Sequence, residues 1–182
     1  MLHRLRAPWA IAGGWAIDLA LGRVTRPHAD VDVAVLRRDQ LALRAALPGW
    51  RFQFARSGAL VDWPAEQWLE HPVHEVHARS PDGTARVELL LDECEGIEWV
   101  YRRDAAVRMP IGRAFRPGPD GIRLLAPEIV LLYKSKAPRP ADEHDFGVAR
   151  PLLDAEGRAW LRAAILRAAP AHPWAASLEP GA

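Results

Sequence analysis

The stretch IAGGWAIDLALGRVTRPHADVDVAV, residues 11–35, decides the fold of this chain. The apolar segment that starts at Trp9 predicts a short strand, Gly13-Gly14 predicts a turn, and the residues after it predict a helix that ends at Gly22. Residues Asp30–Leu36 alternate and then become continuously apolar, as in a strand that is buried on one or both faces. The pattern therefore predicts a strand–turn–helix unit followed by a second, buried strand.

Two acidic residues stand at the start of this second strand. Because residues i and i+2 of a strand point to the same face, we expect Asp30 and Asp32 to lie side by side. Two close carboxylates repel each other, and a divalent cation that prefers hard oxygen ligands, such as Mg²⁺, removes that repulsion. A polar strand end with two exposed acids is the alternative.

The glycine pair ahead of the helix bears on this choice. Residues without a side chain between a strand and a helix N-terminus let backbone N–H groups approach a phosphate closely. An ordinary tight turn is the alternative for Gly13 and Gly14 taken alone. Followed by paired carboxylates, however, they predict a phosphate-binding loop that faces a metal site.

The same stretch resembles the signature of the DNA-polymerase-β-type nucleotidyltransferase superfamily, and more closely that of its aminoglycoside and lincosamide nucleotidyltransferase branch. The branch pattern GGWxxD…GRxTRxHxDxD is matched in full, by Gly13, Gly14, Trp15, Asp18, Gly22, Arg23, Thr25, Arg26, His28, Asp30 and Asp32. A looser similarity to aminoglycoside adenylyltransferase-like members covers LAPEIVLLYKSKAPRPADEHDF, residues 125–146. The resemblance implies an α/β (α+β) nucleotidyltransferase fold, with a small mixed β-sheet flanked by helices and a C-terminal helical subdomain.

The resemblance also implies a reaction. AMP, or another NMP, is expected to move from ATP or another NTP to a hydroxyl of a small molecule such as an aminoglycoside or lincosamide, with release of pyrophosphate. Two Mg²⁺ ions are the implied cofactors, held by Asp30, Asp32 and a third carboxylate. The implied nucleotide-binding residues are Gly13, Gly14, Trp15, Arg26, His28 and Lys134.

The third carboxylate, a metal ligand or the base for the acceptor hydroxyl, is expected from a neighbouring strand. Residues Val73–Arg79 and Ala85–Leu91 predict a hairpin, and Glu88 and Asp92 fall on one face of its second strand and continuation. Burying a lone glutamate in an apolar run is costly without a metal or a partner, which favours Glu88. Related sequences carry aspartate there, so Glu88 is a departure. Asp92 stays open as the catalytic alternative or as a solvated strand end.

Lysine use points to a further candidate. Of the 24 basic residues, 22 are arginine and two are Lys134 and Lys136. Because residues two apart on a helix do not share a face, only one lysine is expected to reach the site, where its ammonium suits triphosphate oxygens. The resemblance favours Lys134, and a cation at a helix C-terminus is the alternative. Asp142 and Asp145 are interpreted as first-turn acids of the next helix.

The acceptor is less clearly marked. The acidic run 92–98 could bind a polycationic aminoglycoside, whereas Arg102-Arg103 and the stretch 108–116 would suit nucleic acid; solvated surface is the alternative for each. His74 and His77 are expected on opposite faces of a strand and, with Glu75, to make no metal site. Two rival functions keep the fold: transfer to RNA or protein, as in toxin-like minimal nucleotidyltransferases, and a non-catalytic nucleotide-binding module.

Composition sets the outer limits. The chain has 182 residues, 49% hydrophobic and 26% charged, with a net charge of +1, which disfavours a strongly basic nucleic-acid binder. A single cysteine excludes a disulfide scaffold and a four-cysteine zinc site. No membrane span or signal peptide is recognised, which predicts a cytoplasmic protein. A monomer or homodimer is expected separately. We expect a catalytic domain at 1–120, loop-rich after residue 92, and a helical subdomain at 121–182.

Overall fold

A sheet of mixed strand directions organises the computed structural model, which describes Leu2 and residues 5–179. Its strands are β1 (Trp9–Ile11), β2 (Asp32–Leu36), β3 (Arg51–Arg56), β4 (Ala59–Asp62), β5 (Glu75–Arg79), β6 (Arg86–Glu95), β7 (Glu98–Val100), β8 (Arg108–Pro110), β9 (Phe115–Pro117) and β10 (Arg123–Leu125). The α-helices are α1 (Gly13–Leu21), α2 (Gln40–Ala46), α3 (Ile111–Ala114), α4 (Pro127–Lys134), α5 (Pro140–Ala149), α6 (Ala155–Ala168) and α7 (Pro173–Ser177). The predicted mixed sheet flanked by helices is confirmed.

The strand order is β4-β3-β5-β6-β2-β1-β10-β9, and β7 joins β6 to β8. Strands β2 and β6 run parallel, as do β1 and β10, while the other pairs are antiparallel. The strand that carries Asp32 is therefore central, and the strand that carries Glu88 is its direct neighbour. Neighbouring strands lie about 4.8 Å apart, so this order alone brings the two carboxylates within reach of a shared ligand.

Both faces of β2 are buried, which explains its unbroken apolar sequence. Val33 and Val35 pack into one hydrophobic cluster with α2 and β3, while Ala34 and Leu36 pack into the other, with α1, α4 and α6. Successive strand side chains point to opposite faces, so a strand covered on both sides is apolar at every position. Asp32, at the first position of β2, is the one charged residue in this otherwise apolar strand.

Two predicted boundaries differ from the structure. Residues 92–121 are not mainly loop, because β6 continues to Glu95 and β7, β8, α3 and β9 follow. The division at residue 120 falls before β10, which pairs with β1 inside the sheet. The helices beyond it share the core of the sheet, as Leu124, Ile129 and Leu161 belong to one cluster. None of the helices in the described residues is both long and apolar enough to cross a membrane.

Candidate active site

The start of α1 and the start of β2 meet at one point, where Gly13 lies against the carboxylate of Asp32. A Cβ atom on Gly13 would overlap Oδ2 of Asp32, and Gly13 has a φ of +58°, which disfavours a side chain for a second reason. The N–H of Ala12 donates to the carbonyl oxygen of Asp32 at 2.9 Å. Gly13 therefore sets how closely the helix end approaches the acid.

The N-terminus of α1 has free hydrogen-bond donors. Its N-cap is Ala12, whose side chain cannot cap, and no side-chain cap is present. The first N–H groups of a helix have no intrahelical partner, and the helix dipole is positive at that end. The amides of Gly13, Gly14 and Trp15 thus lie at a helix end, beside Asp32, that no side chain caps.

We predict that Gly13→Ala lowers kcat by about 100-fold, since the new methyl group must displace the Asp32 carboxylate and misplacement by about 1 Å is that costly. Gly83→Ala is the matched control, because Gly83 has a similar φ of +72° but a Cβ there would meet nothing within 4 Å. Steady-state kinetics and thermal unfolding of both variants test this. Equal losses of activity in the two would show that backbone strain, not the contact with Asp32, is responsible.

Four carboxylates gather around this point. Asp30 lies in the bend before β2 rather than in the strand, and Glu88 is directly opposite Asp32 on β6. Burial and the Asp30 carboxylate raise the pKa of Asp32 to about 6. Burial, then Glu75, Asp30 and Asp32, raise the pKa of Glu88. No ion pair from lysine or arginine reaches these two groups in the described part of the chain, and the basic side chain beside Glu88 is His77, whose Nδ1 lies 3.5 Å from Oε1 of Glu88.

Glu75 is the carboxylate that sequence reasoning missed, and His77 lies beside it. Donor atoms of Glu75, His77 and Glu88 all lie within 4.8 Å of one another. From the sequence, His77 and Glu75 were considered only together with His74, which is not in this group, and their approach to Glu88 was not predicted. His74 precedes β5, while Glu75 and His77 are i and i+2 on that strand, and His77 is opposite Glu88.

Asp92, the alternative third carboxylate, lies elsewhere. It is opposite Leu36 rather than Asp32, and four residues along a strand separate it from Glu88 by roughly 13 Å. It is buried, which excludes a solvated strand end, and its Oδ1 accepts a hydrogen bond from the hydroxyl of Tyr133 at 3.0 Å. Burial raises its pKa to about 6.

Lys134 is held by two buried aspartates of α5. Its Nζ lies 2.7 Å from Oδ1 of Asp142 and 3.0 Å from Oδ2 of Asp145. Asp142 also accepts from the backbone N–H and side chain of Arg139, at 3.0 and 2.9 Å, and so caps α5. The first-turn interpretation holds for Asp142 but not for Asp145, which lies in the second turn. Both acids serve to fix cations.

Arg26 reaches the same buried aspartate from the loop before β2. Its Nε and Nη2 donate to the two oxygens of Asp145, each at 2.7 Å. Gly14 gives the guanidinium room, because a Cβ there would overlap Nη2 of Arg26 and the ring of His28. The ring nitrogen Nε2 of His28 lies 2.6 Å from Oδ2 of Asp18, and its ring packs on Trp15 with centroids 4.6 Å apart. The side chains of Arg26 and His28, through these contacts with Asp145 and Asp18, thus hold the loop before β2 in place.

Removing the charge of Asp145 is predicted to destabilise the fold by about 3 kcal/mol, because Arg26 and Lys134 lose a buried partner. Asp104→Asn is the control, since its pair with Arg167 is exposed and exposed pairs contribute little to stability. Against the cost of burial, hydrogen bonds from Arg26 and Lys134 lower the pKa of Asp145 below its ordinary 3.8. The free energy of unfolding in urea should therefore differ less between wild type and Asp145→Asn as the pH falls below about 4. A difference that does not depend on pH would contradict this.

A cavity of about 400 Å³ extends between Asp32 and Lys134. Its charged lining residues are Asp32, Glu75, Asp92, Arg102, Arg103, Lys134, Lys136, Arg139 and Asp142. Both lysines line it, so the expectation that only one reaches the site was wrong. Helix α4 ends at Lys134, and Lys136 lies in the turn that follows, where helical face spacing does not apply.

Most charges of the segments proposed for the acceptor are engaged in ion pairs, some between the two segments and some with other residues, as Arg113 and Arg116 pair with Glu128. Arg108 binds Glu95 and Glu98, at 2.7 and 3.5 Å, and Glu93 accepts from Arg37 at 2.7 Å. Neither an acidic wall from 92–98 nor an open basic groove from 108–116 is therefore formed by these residues. Arg102 and Arg103 are different, because they line the cavity.

Solved structures similar to this one include nucleotidyltransferases. A crystal structure of ANT(2'')-Ia in complex with adenylyl-2''-tobramycin matches with a TM-score of 0.59 and 22% identity over 89% of each chain. The lincosamide antibiotic adenylyltransferase LnuA, lincomycin-bound, matches at 0.55 and 13% over 84% of this chain and 91% of the other. A nucleotidyltransferase-like protein from Paracoccidioides brasiliensis matches at 0.50 and 19% over 97% and 86%. The chain thus has the nucleotidyltransferase fold.

The family assignment follows from sequence. The model of the aminoglycoside-2''-adenylyltransferase family matches residues 1–146, and the chain belongs to that family. No curated protein matches the chain. The resemblance to the aminoglycoside and lincosamide branch is confirmed, and the protein is an adenylyltransferase of the antibiotic-modifying kind.

Proposed function

We propose that the protein transfers AMP from ATP, in the presence of Mg²⁺, to a hydroxyl of an aminoglycoside or a lincosamide and releases pyrophosphate. The observation that carries this proposal is the contact of the Asp32 carboxylate with Gly13, at the uncapped start of α1. One cavity joins this point to Lys134. An anion-binding helix end beside unneutralised carboxylates suits a metal–triphosphate complex.

The donor set fits Mg²⁺. Asp30, Asp32 and Glu88 offer carboxylate oxygens, which are hard ligands, and no lysine or arginine is ion-paired with them in the described residues. Mg²⁺ bound there would supply positive charge to the attacking and leaving oxygens. Two ions, as the family resemblance implies, would be held by these three residues, of which Asp32 is the most enclosed.

Glu88 is proposed as the residue that receives the proton of the acceptor hydroxyl, as well as a metal ligand. The hydroxyl oxygen forms a bond to the α-phosphorus, the bond from that phosphorus to the pyrophosphate oxygen breaks, and the hydroxyl proton passes to the Glu88 carboxylate. Its place opposite Asp32 and its raised pKa support this role. Asp92 is proposed only as a cavity residue.

The nucleotide is proposed to bind along the cavity. The amides of Gly13, Gly14 and Trp15 would bind phosphate oxygens, and the ammonium of Lys134 would contact the β- and γ-phosphates. Arg26 and His28 would act by holding the loop ahead of Asp30. A cytoplasmic location, and a monomeric or homodimeric state, stay predictions.

ATP labelled at either the α- or the γ-phosphorus tests the reaction type. With Mg²⁺ and tobramycin or lincomycin, label from the α-position should pass to the antibiotic and label from the γ-position should leave as pyrophosphate. Transfer of the γ-label to the antibiotic would instead show phosphoryl transfer and would overturn the proposal.

A further inference from the structure

Two arginines line the cavity from a segment that the motif does not include. Arg102 and Arg103 follow β7 in a turn that leads to β8. The turn is closed by the N–H of Tyr101, which donates to the carbonyl oxygen of Val107 at 2.9 Å. Its position is therefore fixed by backbone hydrogen bonds on the same sheet that carries Asp32.

Both guanidinium groups are held by neutral partners. Nη1 of Arg103 donates to the hydroxyl of Tyr101 at 3.1 Å and to the carbonyl oxygen of Tyr133 at 3.4 Å. The guanidinium of Arg102 lies over the ring of Tyr133, 5.4 Å from its centroid. Within residues 5–179, neither forms an ion pair with a carboxylate. Their charges are thus oriented without a direct ion pair; the buried Asp92 carboxyl senses Arg102, which partly offsets the rise in its pKa caused by burial.

The other cations of the cavity are mostly neutralised. Lys134 and Arg139 are paired with the aspartates of α5. The positive charge left for a ligand comes chiefly from Arg102 and Arg103, and Lys136 is the third cation of the cavity lining that forms no ion pair with a described residue. Although Asp32, Glu75 and Asp92 also line the cavity, three cations without an ion pair favour a ligand that carries several negative charges.

We propose that Arg102 and Arg103 bind the β- and γ-phosphates of the nucleotide, as a second wall of the polyphosphate site beside Lys134. The guanidinium fork suits phosphate oxygens, which it can bind in pairs. This inference rests on the proposed function, because it names further residues for the same co-substrate. It predicts that much of the affinity for ATP comes from a turn outside the GGW and DxD motifs.

Calorimetric titration with inorganic tripolyphosphate, ATP and AMP tests the inference on wild type, Arg102→Gln, Arg103→Gln and the double variant. Tripolyphosphate and ATP should bind about tenfold more weakly to each single variant and about 100-fold more weakly to the double variant. AMP lacks the β- and γ-phosphates, so its affinity should change by less than about threefold. Arg123→Gln is the matched control, since Arg123 is an exposed arginine of β10 outside the cavity.

The outcomes separate the inference from the proposed function. Wild-type affinity for ATP and tripolyphosphate in the double variant would overturn the inference alone. Equal losses for ATP and AMP would overturn it too, because the arginines would then contact the nucleoside or α-phosphate. A wild-type protein that binds neither ATP nor tripolyphosphate would overturn the proposed function as well. Thermal unfolding of each variant checks that the turn still folds.

Discussion

Asp32→Asn is expected to lower kcat by about 10,000-fold, because a metal site supplies several kcal/mol of charge stabilisation to the transition state and each 1.36 kcal/mol is about tenfold. Asparagine keeps the shape of the side chain but removes the negative charge. Asp32 stands at the start of β2, lies against Gly13 and is surrounded by other acids. No neighbouring group can take its place at the end of the helix.

Although it loses activity, Asp32→Asn is expected to be at least as stable as wild type at neutral pH. The pKa of Asp32 is raised to about 6, so its contribution to stability is full below the ordinary value of 3.8 and is lost as the pH rises through about 6. At pH 7 the neutral asparagine avoids that penalty, and Asp32→Asn should unfold at the same temperature as wild type or higher. Asp62→Asn, at an exposed pair with Arg51, is the control for activity. Loss of activity through unfolding would contradict the assigned role.

Glu88→Gln is expected to lower kcat by about 1,000-fold, as befits loss of a general base, whose contribution is commonly about 100- to 10,000-fold. Glu88→Asp should recover much of the activity, because aspartate keeps the carboxylate on the same strand position opposite Asp32. Glutamine keeps the length but cannot take up the proton. The measurement is the rate of adenylyl transfer at saturating ATP and acceptor.

Asp92→Asn is the matched comparison for Glu88→Gln. It removes a carboxylate from the same face of β6, but one that is buried beneath Tyr133 and opposite Leu36. We expect a loss of activity below about tenfold, since the group is roughly 13 Å along the strand from Glu88. A severe loss in Asp92→Asn, with Glu88→Gln active, would make Asp92 the third carboxylate.

Features that lie within one continuous segment of the chain could be predicted from the sequence. The spacing of Gly13, Gly14 and Asp32 identified the helix start and the acidic strand because both belong to one strand–helix–strand unit. The preference for Glu88 came from its cost in an apolar run, a local signal. The parallel pairing of β2 with β6 then placed it opposite Asp32.

What the sequence could not predict depends on contacts between distant segments. Asp145 is 119 residues from Arg26, and neither residue shows by itself that the other is its partner. Glu75 joins the acidic cluster only because β5 and β6 pair in a particular register. Lys136 enters the cavity because α4 ends at Lys134, and helix ends are hard to predict to within two residues.

Pyrophosphate release from ATP with Mg²⁺ tests the central claim most directly, measured with aminoglycosides, lincosamides or bulk tRNA as acceptor and with Asp32→Asn alongside. We expect release that requires a small-molecule antibiotic, stops when Mg²⁺ is chelated and is absent from Asp32→Asn. Release with tRNA alone would contradict the claim and identify an RNA-modifying enzyme. ATP binding without release for every acceptor would contradict it too and would indicate a nucleotide-binding module.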